Sequence, residues 1–125
     1  MILGRVNDDL DAVIPIEVHG LERMQVEAVI DTGFTEFLTL PLAVIQQLGF
    51  EFVSSEKTTL ADAGTIEMDD YRGTIIWDGE LREVVATCSD SDPLVGMSML
   101  EGFDLRISVV PGGTVAIEKI ADVEI

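Results

Sequence analysis

Ala28-Val29-Ile30-Asp31-Thr32-Gly33 is the stretch on which the fold turns. An apolar strand runs straight into a carboxylate, a small hydroxyl and a glycine. Residues 24 to 30 place Met24, Val26, Ala28 and Ile30 on one face, against Gln25, Glu27 and Val29 on the other. That period of two marks a strand. Asp31 would therefore stand at the end of a packed strand, partly withdrawn from water. Thr32 can hydrogen-bond across a turn. Gly33 lets the chain turn tightly and lets another group come close. Taken alone, the tripeptide also suits a plain strand-ending turn, because Asp, Thr and Gly all favour turns.

On the N-terminal side, Ala12 to Val18 reads as a second strand, carried by Val13, Ile14, Ile16 and Val18. His19-Gly20-Leu21-Glu22 would join the two as a hairpin. On the other side, Phe37-Leu38-Thr39-Leu40 is a short apolar run followed by a helix. Pro41 suits a first helical position, Leu42, Ile45 and Leu48 fall at helical spacing, and Gly49 suits the left-handed residue that ends it.

The second half returns to strands. Phe50 to Leu60 reads as extended, with Asp62-Ala63-Gly64-Thr65 as a hairpin tip. Tyr71 to Trp77 and Leu81 to Thr87 flank the turn Asp78-Gly79-Glu80. Leu94 to Leu100 begins with two apolar residues and Gly96 and suits a second short helix. Phe103 to Val110 and Thr114 to Ile120 flank Pro111-Gly112-Gly113. The layout is mostly β, a small closed barrel or sandwich with one or two short helices. Its halves run in similar order. One apolar strand leads to Ile30-Asp31-Thr32-Gly33 and another to Leu94-Val95-Gly96, which fits an internal pseudo-two-fold.

Composition narrows the function. The chain has 125 residues, which suits a single domain over residues 1–125. It carries 24 acidic residues against 7 basic ones, a net charge of -17, yet 47% of it is apolar. That describes a packed core under a carboxylate-rich surface, not a disordered acidic segment. Seven cations cannot supply the basic face that displaces counterions from nucleic acid. An anionic membrane surface is disfavoured by the same charge. No apolar stretch approaches the roughly 20 residues of a membrane span. No signal-peptide core follows Met1, so the expected compartment is the cytoplasm. One cysteine, Cys88, allows no internal disulfide. With a single histidine, His19, it also excludes His/Cys zinc clusters within one chain, and no metal or cofactor is expected.

Several side chains read as structural. His19 suits a surface turn and Cys88 a buried small apolar group. Asp90-Ser91-Asp92 lacks the glycine and distal glutamate of a calcium loop. It reads as solvated, as do Asp8, Asp9, Asp11, Asp69 and Asp70. Tyr71 and Trp77 suit the core or its rim. Phe34, directly after the Asp-Thr-Gly, either packs in the core or lines a cleft.

Together these motifs resemble the retropepsin-like aspartic proteases, the single-lobe relatives of pepsin. Ala28-Val29-Ile30-Asp31-Thr32-Gly33 matches the catalytic loop of that family, and Leu94-Val95-Gly96-Met97-Ser98-Met99-Leu100 matches its second element. The hairpin near Ala61 to Thr65 stands where the family has its flap. The stretch from Asp31 to Pro41 looks like the bacterial branch, and the resemblance runs from about Ala12 to Ile120. It departs from retroviral members at Phe34-Thr35 and in having one glycine, Gly64, at the flap tip. The resemblance implies a retropepsin-like fold with Asp31, Thr32 and Gly33 as catalytic residues. It implies substrate contacts from Phe34, Ala63, Gly64 and Thr65. The chemistry needs two carboxylates sharing a proton, and the chain has one Asp-Thr-Gly. The implied enzyme is therefore a homodimeric aspartic endopeptidase acting on a peptide or protein, with Asp31 of each copy on a two-fold axis. The rival reading is the same fold kept as a dimeric protein-binding module with little or no catalysis.

Overall fold

The computed structural model describes residues 1–59 and 61–121. Ten strands and two short helices follow one another in the described chain. They are β1 (Ile2–Val6), β2 (Ala12–His19), β3 (Arg23–Ile30), β4 (Leu38–Leu40), α1 (Leu42–Leu48), β5 (Glu51–Thr59), β6 (Thr65–Trp77), β7 (Glu80–Cys88), β8 (Leu94–Val95), α2 (Met97–Leu100), β9 (Phe103–Ile107) and β10 (Thr114–Lys119). Among the described residues no helix is long and apolar enough to cross a membrane.

The strands lie in the order β5-β6-β7-β4-β8-β3-β2-β1-β10-β9, and β6 also pairs with β2. That extra pairing closes a six-stranded barrel of β6, β7, β4, β8, β3 and β2. The β5–β6 hairpin extends from one side, and β1, β10 and β9 extend from the other. One edge of β2 is shared by two partners. Ala12 and Val13 face β1, and Glu17 to His19 face β6. Between these stretches, at Ile14 to Ile16, only β3 pairs with β2. The residue in the middle is Pro15, which has no N–H to leave unpaired there.

Alternation decides which faces are buried. Ile14, Ile16 and Val18 of β2 are buried while Pro15 and Glu17 are exposed. In β3, Val26 and Ala28 are buried while Gln25 and Glu27 are exposed. Gly73, Ile75 and Trp77 of β6 and Val84 and Ala86 of β7 complete the wall. The two-residue turn Asp78-Gly79 joins these strands, with φ of 52° and 82°. Two positive φ values give a hairpin turn whose twist matches its strands. Helix α1 lays Ile45 and Leu48 on the core. It ends with Gly49 N–H on the Gln46 carbonyl and Phe50 N–H on the Ile45 carbonyl, both at 3.1 Å.

The expected pseudo-two-fold is visible in the pairing. β3 runs parallel to β8, β7 runs parallel to β4, and β4 meets β8 antiparallel between them. Exchanging β3 with β7 and β4 with β8 leaves that order unchanged. A short helix follows each inner strand, α1 after β4 and α2 after β8.

Several expectations are corrected. Pro41 caps α1 rather than starting it, because its ψ of 149° keeps it extended. His19 ends β2 instead of sitting in the turn, half-buried with Nε2 3.2 Å from Glu17 Oε2. Asp69 and Asp70 are half-buried within β6, a continuous strand of 13 residues. Asp70 accepts a hydrogen bond from Thr87 Oγ1 at 2.8 Å, and Asp69 Oδ1 lies 2.7 Å from Ser55 Oγ. Solvation fails for them because β6 has a neighbour on each side. β9 stops at Ile107, since Val110 N–H turns back to the Ser108 carbonyl. Leu60, the end of the expected extended stretch, lies outside the described residues.

Candidate active site

Asp31 leaves the end of β3 at the mouth of the barrel. Its N–H donates to the Val95 carbonyl at 2.9 Å, so the parallel pairing with β8 continues into the loop. The carboxylate then turns back on its own backbone. Asp31 Oδ1 accepts the Gly33 N–H at 2.9 Å, and the Asp31 carbonyl accepts the Phe34 N–H at 3.1 Å. This is the side-chain turn that aspartate is suited to make. Asp31 is half-buried, while Thr32 and Gly33 are exposed. Oδ1 is thus held in place, and Oδ2 makes no hydrogen bond among the described residues.

The loop is clamped from behind by the segment that opens α2. Gly96 N–H donates to the Phe37 carbonyl at 3.0 Å, Met97 N–H to Phe34 at 2.8 Å, and Ser98 N–H to Glu36 at 3.2 Å. Ser98 Oγ also donates to the Thr35 carbonyl. These contacts require a glycine at position 96. A side-chain carbon there would lie 2.2 Å from the Glu36 carbonyl oxygen and 2.6 Å from Phe34 Cδ2. The Phe34 ring therefore sits against Gly96, half-buried.

Two side chains that sequence reasoning passed over complete the clamp. Thr39, buried inside β4, accepts the Leu94 N–H on its Oγ1 at 2.8 Å. Its signal was a hydroxyl inside the apolar run Leu38-Thr39-Leu40. Arg82 reaches from β7 to the carbonyls of α2, and no local pattern marks it.

Beside the loop lies a groove of about 460 Å³, lined by Thr32, Thr35, Met97, Ser98, Leu100 and Phe103 among others. Its wall is largely apolar, and Met97 is 47% exposed. The hairpin of β5 and β6 carries Ala63 and Gly64 at its tip and Thr65 as the first residue of β6, all exposed. The left-handed residue of that tip is Ala63, with φ of 66°, while Gly64 N–H is held by Asp62 Oδ1. Among the described residues no hydrogen bond links the tip to the Asp31 loop. The single thiol is remote in character as well. Burial, with Asp90 and Asp69 nearby, pushes the Cys88 thiol above its ordinary range, which keeps it protonated.

Comparison with known proteins places this architecture. No family model matches the sequence, and no curated protein sequence matches it. A solved structure does match the fold: the crystal structure of a retropepsin-like aspartic protease from Rickettsia conorii. The two superpose with a TM-score of 0.61 over 95% of this chain and 90% of that one, at 20% sequence identity. The fold of this chain is the retropepsin-like one, as the Asp31 and Gly96 segments implied.

Proposed function

We propose that the chain is an aspartic-type endopeptidase that assembles its active site from two copies. The observation that carries this reading is the Asp31 carboxylate. It is half-buried at a strand end, one oxygen is fixed by Gly33 N–H and the other has no partner in the described chain, all within a retropepsin-like fold. One such carboxylate cannot both activate a water and protonate a carbonyl. Two of them sharing a proton can. The ionised Asp31 takes a proton from the water as its oxygen bonds to the peptide carbon. The protonated Asp31 of the other copy gives its proton to the carbonyl oxygen. Collapse of the tetrahedral intermediate breaks the C–N bond, and the leaving nitrogen takes back a proton. Thr32 braces the loop, and Phe34, through its contact with Gly96, shapes the wall behind it. The β5–β6 hairpin, with Ala63, Gly64 and Thr65 at its end, covers the peptide as a lid. The apolar groove beside Thr32 supports the second copy's place, because it leaves Met97 exposed next to the loop. A single cysteine suits a reducing compartment, the cytoplasm.

Charge sets the conditions. Two copies at -17 each carry -34, and that repulsion is relieved by salt and by mild acid. Sedimentation at about pH 5 and pH 7.5 in moderate salt tests assembly. A peptide-library screen then tests cleavage, with Asp31→Asn as the control. The expected result is a dimer, cleavage that rises toward acid, and an Asp31→Asn protein that still dimerises but cleaves nothing. An Asp31→Asn protein that cleaves as well as the parent refutes the dyad. A strict monomer at all concentrations removes the mechanism and favours the binding-module reading.

A further inference from the structure

Arg82 is placed unlike the other cations of this chain. It projects from β7 and is half-buried. Its Nη1 donates to the Met99 carbonyl at 3.1 Å, and its Nη2 reaches the Ser98 carbonyl at 3.5 Å. The same guanidinium lies 5.5 Å from the centre of the Phe37 ring. Although the chain has 24 acidic residues, Arg82 forms no ion pair among the described residues. Its donors point at backbone instead.

The α2 helix needs such a partner. It has four residues, is followed by Glu101 as its C-cap and carries no basic residue in its last turn. A helix this short is not stable alone, and its final carbonyls lack partners within it. A guanidinium suits the gap, because its planar fork can reach neighbouring carbonyls while its face stacks on an aromatic ring. Phe37 ends the loop that starts at Asp31, and its carbonyl receives the Gly96 N–H. One side chain therefore touches both halves of the clamp. Arg82 does not line the groove beside Thr32. It lines a neighbouring cavity of about 310 Å³ with Trp77 and Phe103.

We infer that Arg82 is a positioning residue of the candidate site: it locks α2 against the 31–37 loop and so sets the face that a second copy meets. Its consequence for assembly and turnover rests on the dimeric reading above, whereas the lock itself does not. Arg82 acts through Phe37 and the α2 carbonyls and touches no reacting atom. A lysine at this place keeps the charge but loses the fork and the stacking face.

The test is amide hydrogen exchange on the whole chain, comparing the parent with Arg82→Leu and Arg82→Lys. In Arg82→Leu the amides of Phe34, Gly96, Met97 and Ser98 are expected to exchange at least about tenfold faster, with Val26 and Ala28 of β3 unchanged. Arg82→Lys should restore only part of that protection. Dimer dissociation should rise about tenfold and kcat fall in step, with KM moving less than about twofold. Unchanged exchange at those four amides overturns the inference. So does equal acceleration at Val26 and Ala28, which would make Arg82 a general stabiliser. If Arg82→Leu does not fold, Phe37→Leu removes only the stacking ring and must speed the same amides; no change there also overturns it. If the parent neither dimerises nor cleaves, the dimeric reading fails, and the exchange pattern still decides whether Arg82 is the lock.

Discussion

Replacing Gly96 by alanine tests the clamp behind Asp31 most directly. The added methyl group would lie 2.2 Å from the Glu36 carbonyl oxygen and 2.7 Å from that of Phe34. Comfortable carbon–oxygen contact is about 3.3 Å, so the 34–36 backbone must retreat by about 1 Å. The two carbonyl oxygens are backbone, and the third obstacle, Phe34 Cδ2 at 2.6 Å, belongs to a half-buried ring, so no flexible side-chain end absorbs the clash. A retreat of that size breaks or stretches the hydrogen bonds from Gly96, Met97 and Ser98 to the loop. Two lost bonds at about 1 kcal/mol each, with about 1–2 kcal/mol of overpacking, give a cost of about 3–4 kcal/mol. For a chain of this size that is a fall in Tm of about 12 °C. Urea unfolding followed by the fluorescence of Trp77, the one tryptophan and 4% exposed, reads the change. Gly64→Ala is the control. Its new carbon would meet only the Asp62 side chain, at 3.0 Å, and the expected change is within about 0.5 kcal/mol. If Gly96→Ala unfolds within about 1 kcal/mol of the parent at an unchanged m-value, the clamp is not a tight one and the reasoning fails.

Two further predictions follow from single contacts. Thr39→Val keeps the shape of a buried residue but removes the acceptor for the Leu94 N–H. The cost should be about 1–3 kcal/mol in the same urea experiment, and an unchanged midpoint would show that another group takes the bond. Cys88 should react with iodoacetamide more slowly than a free cysteine at about pH 8, because its raised pKa leaves less thiolate. Asp90→Asn should speed the reaction by removing one of the charges that raises it, and no change would place the protection in burial and the Asp69 charge.

Local pattern revealed those elements whose partners are close along the chain. The alternation of residues 24 to 30, the Asp78-Gly79 turn and the Gly49 terminus all took shape where their residues suggested. β1 did not announce itself. Leu3 is 56% exposed, Gly4 packs against the Val13 carbonyl, and Val6 is the one residue of the strand that is fully buried. Ile2-Leu3-Gly4-Arg5-Val6 is a strand because β2 and β10 flank it. Val109 continues the apolar alternation of β9 and Val110 follows it, yet both lie outside the strand and exposed, because pairing with β10 ends before them. The Asp31 loop was legible because its chemistry is local. Its supports were not, since Thr39 meets Leu94 and Arg82 meets Met99 only after folding.

The exchange symmetry of β3-β4 with β7-β8 bears on how the chain folds. β4 pairs only with β7 and β8, and β8 only with β3 and β4. Each inner strand is thus walled on at least one side by the opposite half, and neither half can complete its sheet alone. Loop closure must come before reward, which makes folding slow and all-or-none. During synthesis β3 waits for Leu94 and Val95, and the Asp31 loop waits for Gly96 to Ser98. A chain cut short before residue 98 leaves that loop unbraced, so a nascent or truncated copy carries Asp31 without the backbone contacts that fix the loop behind it.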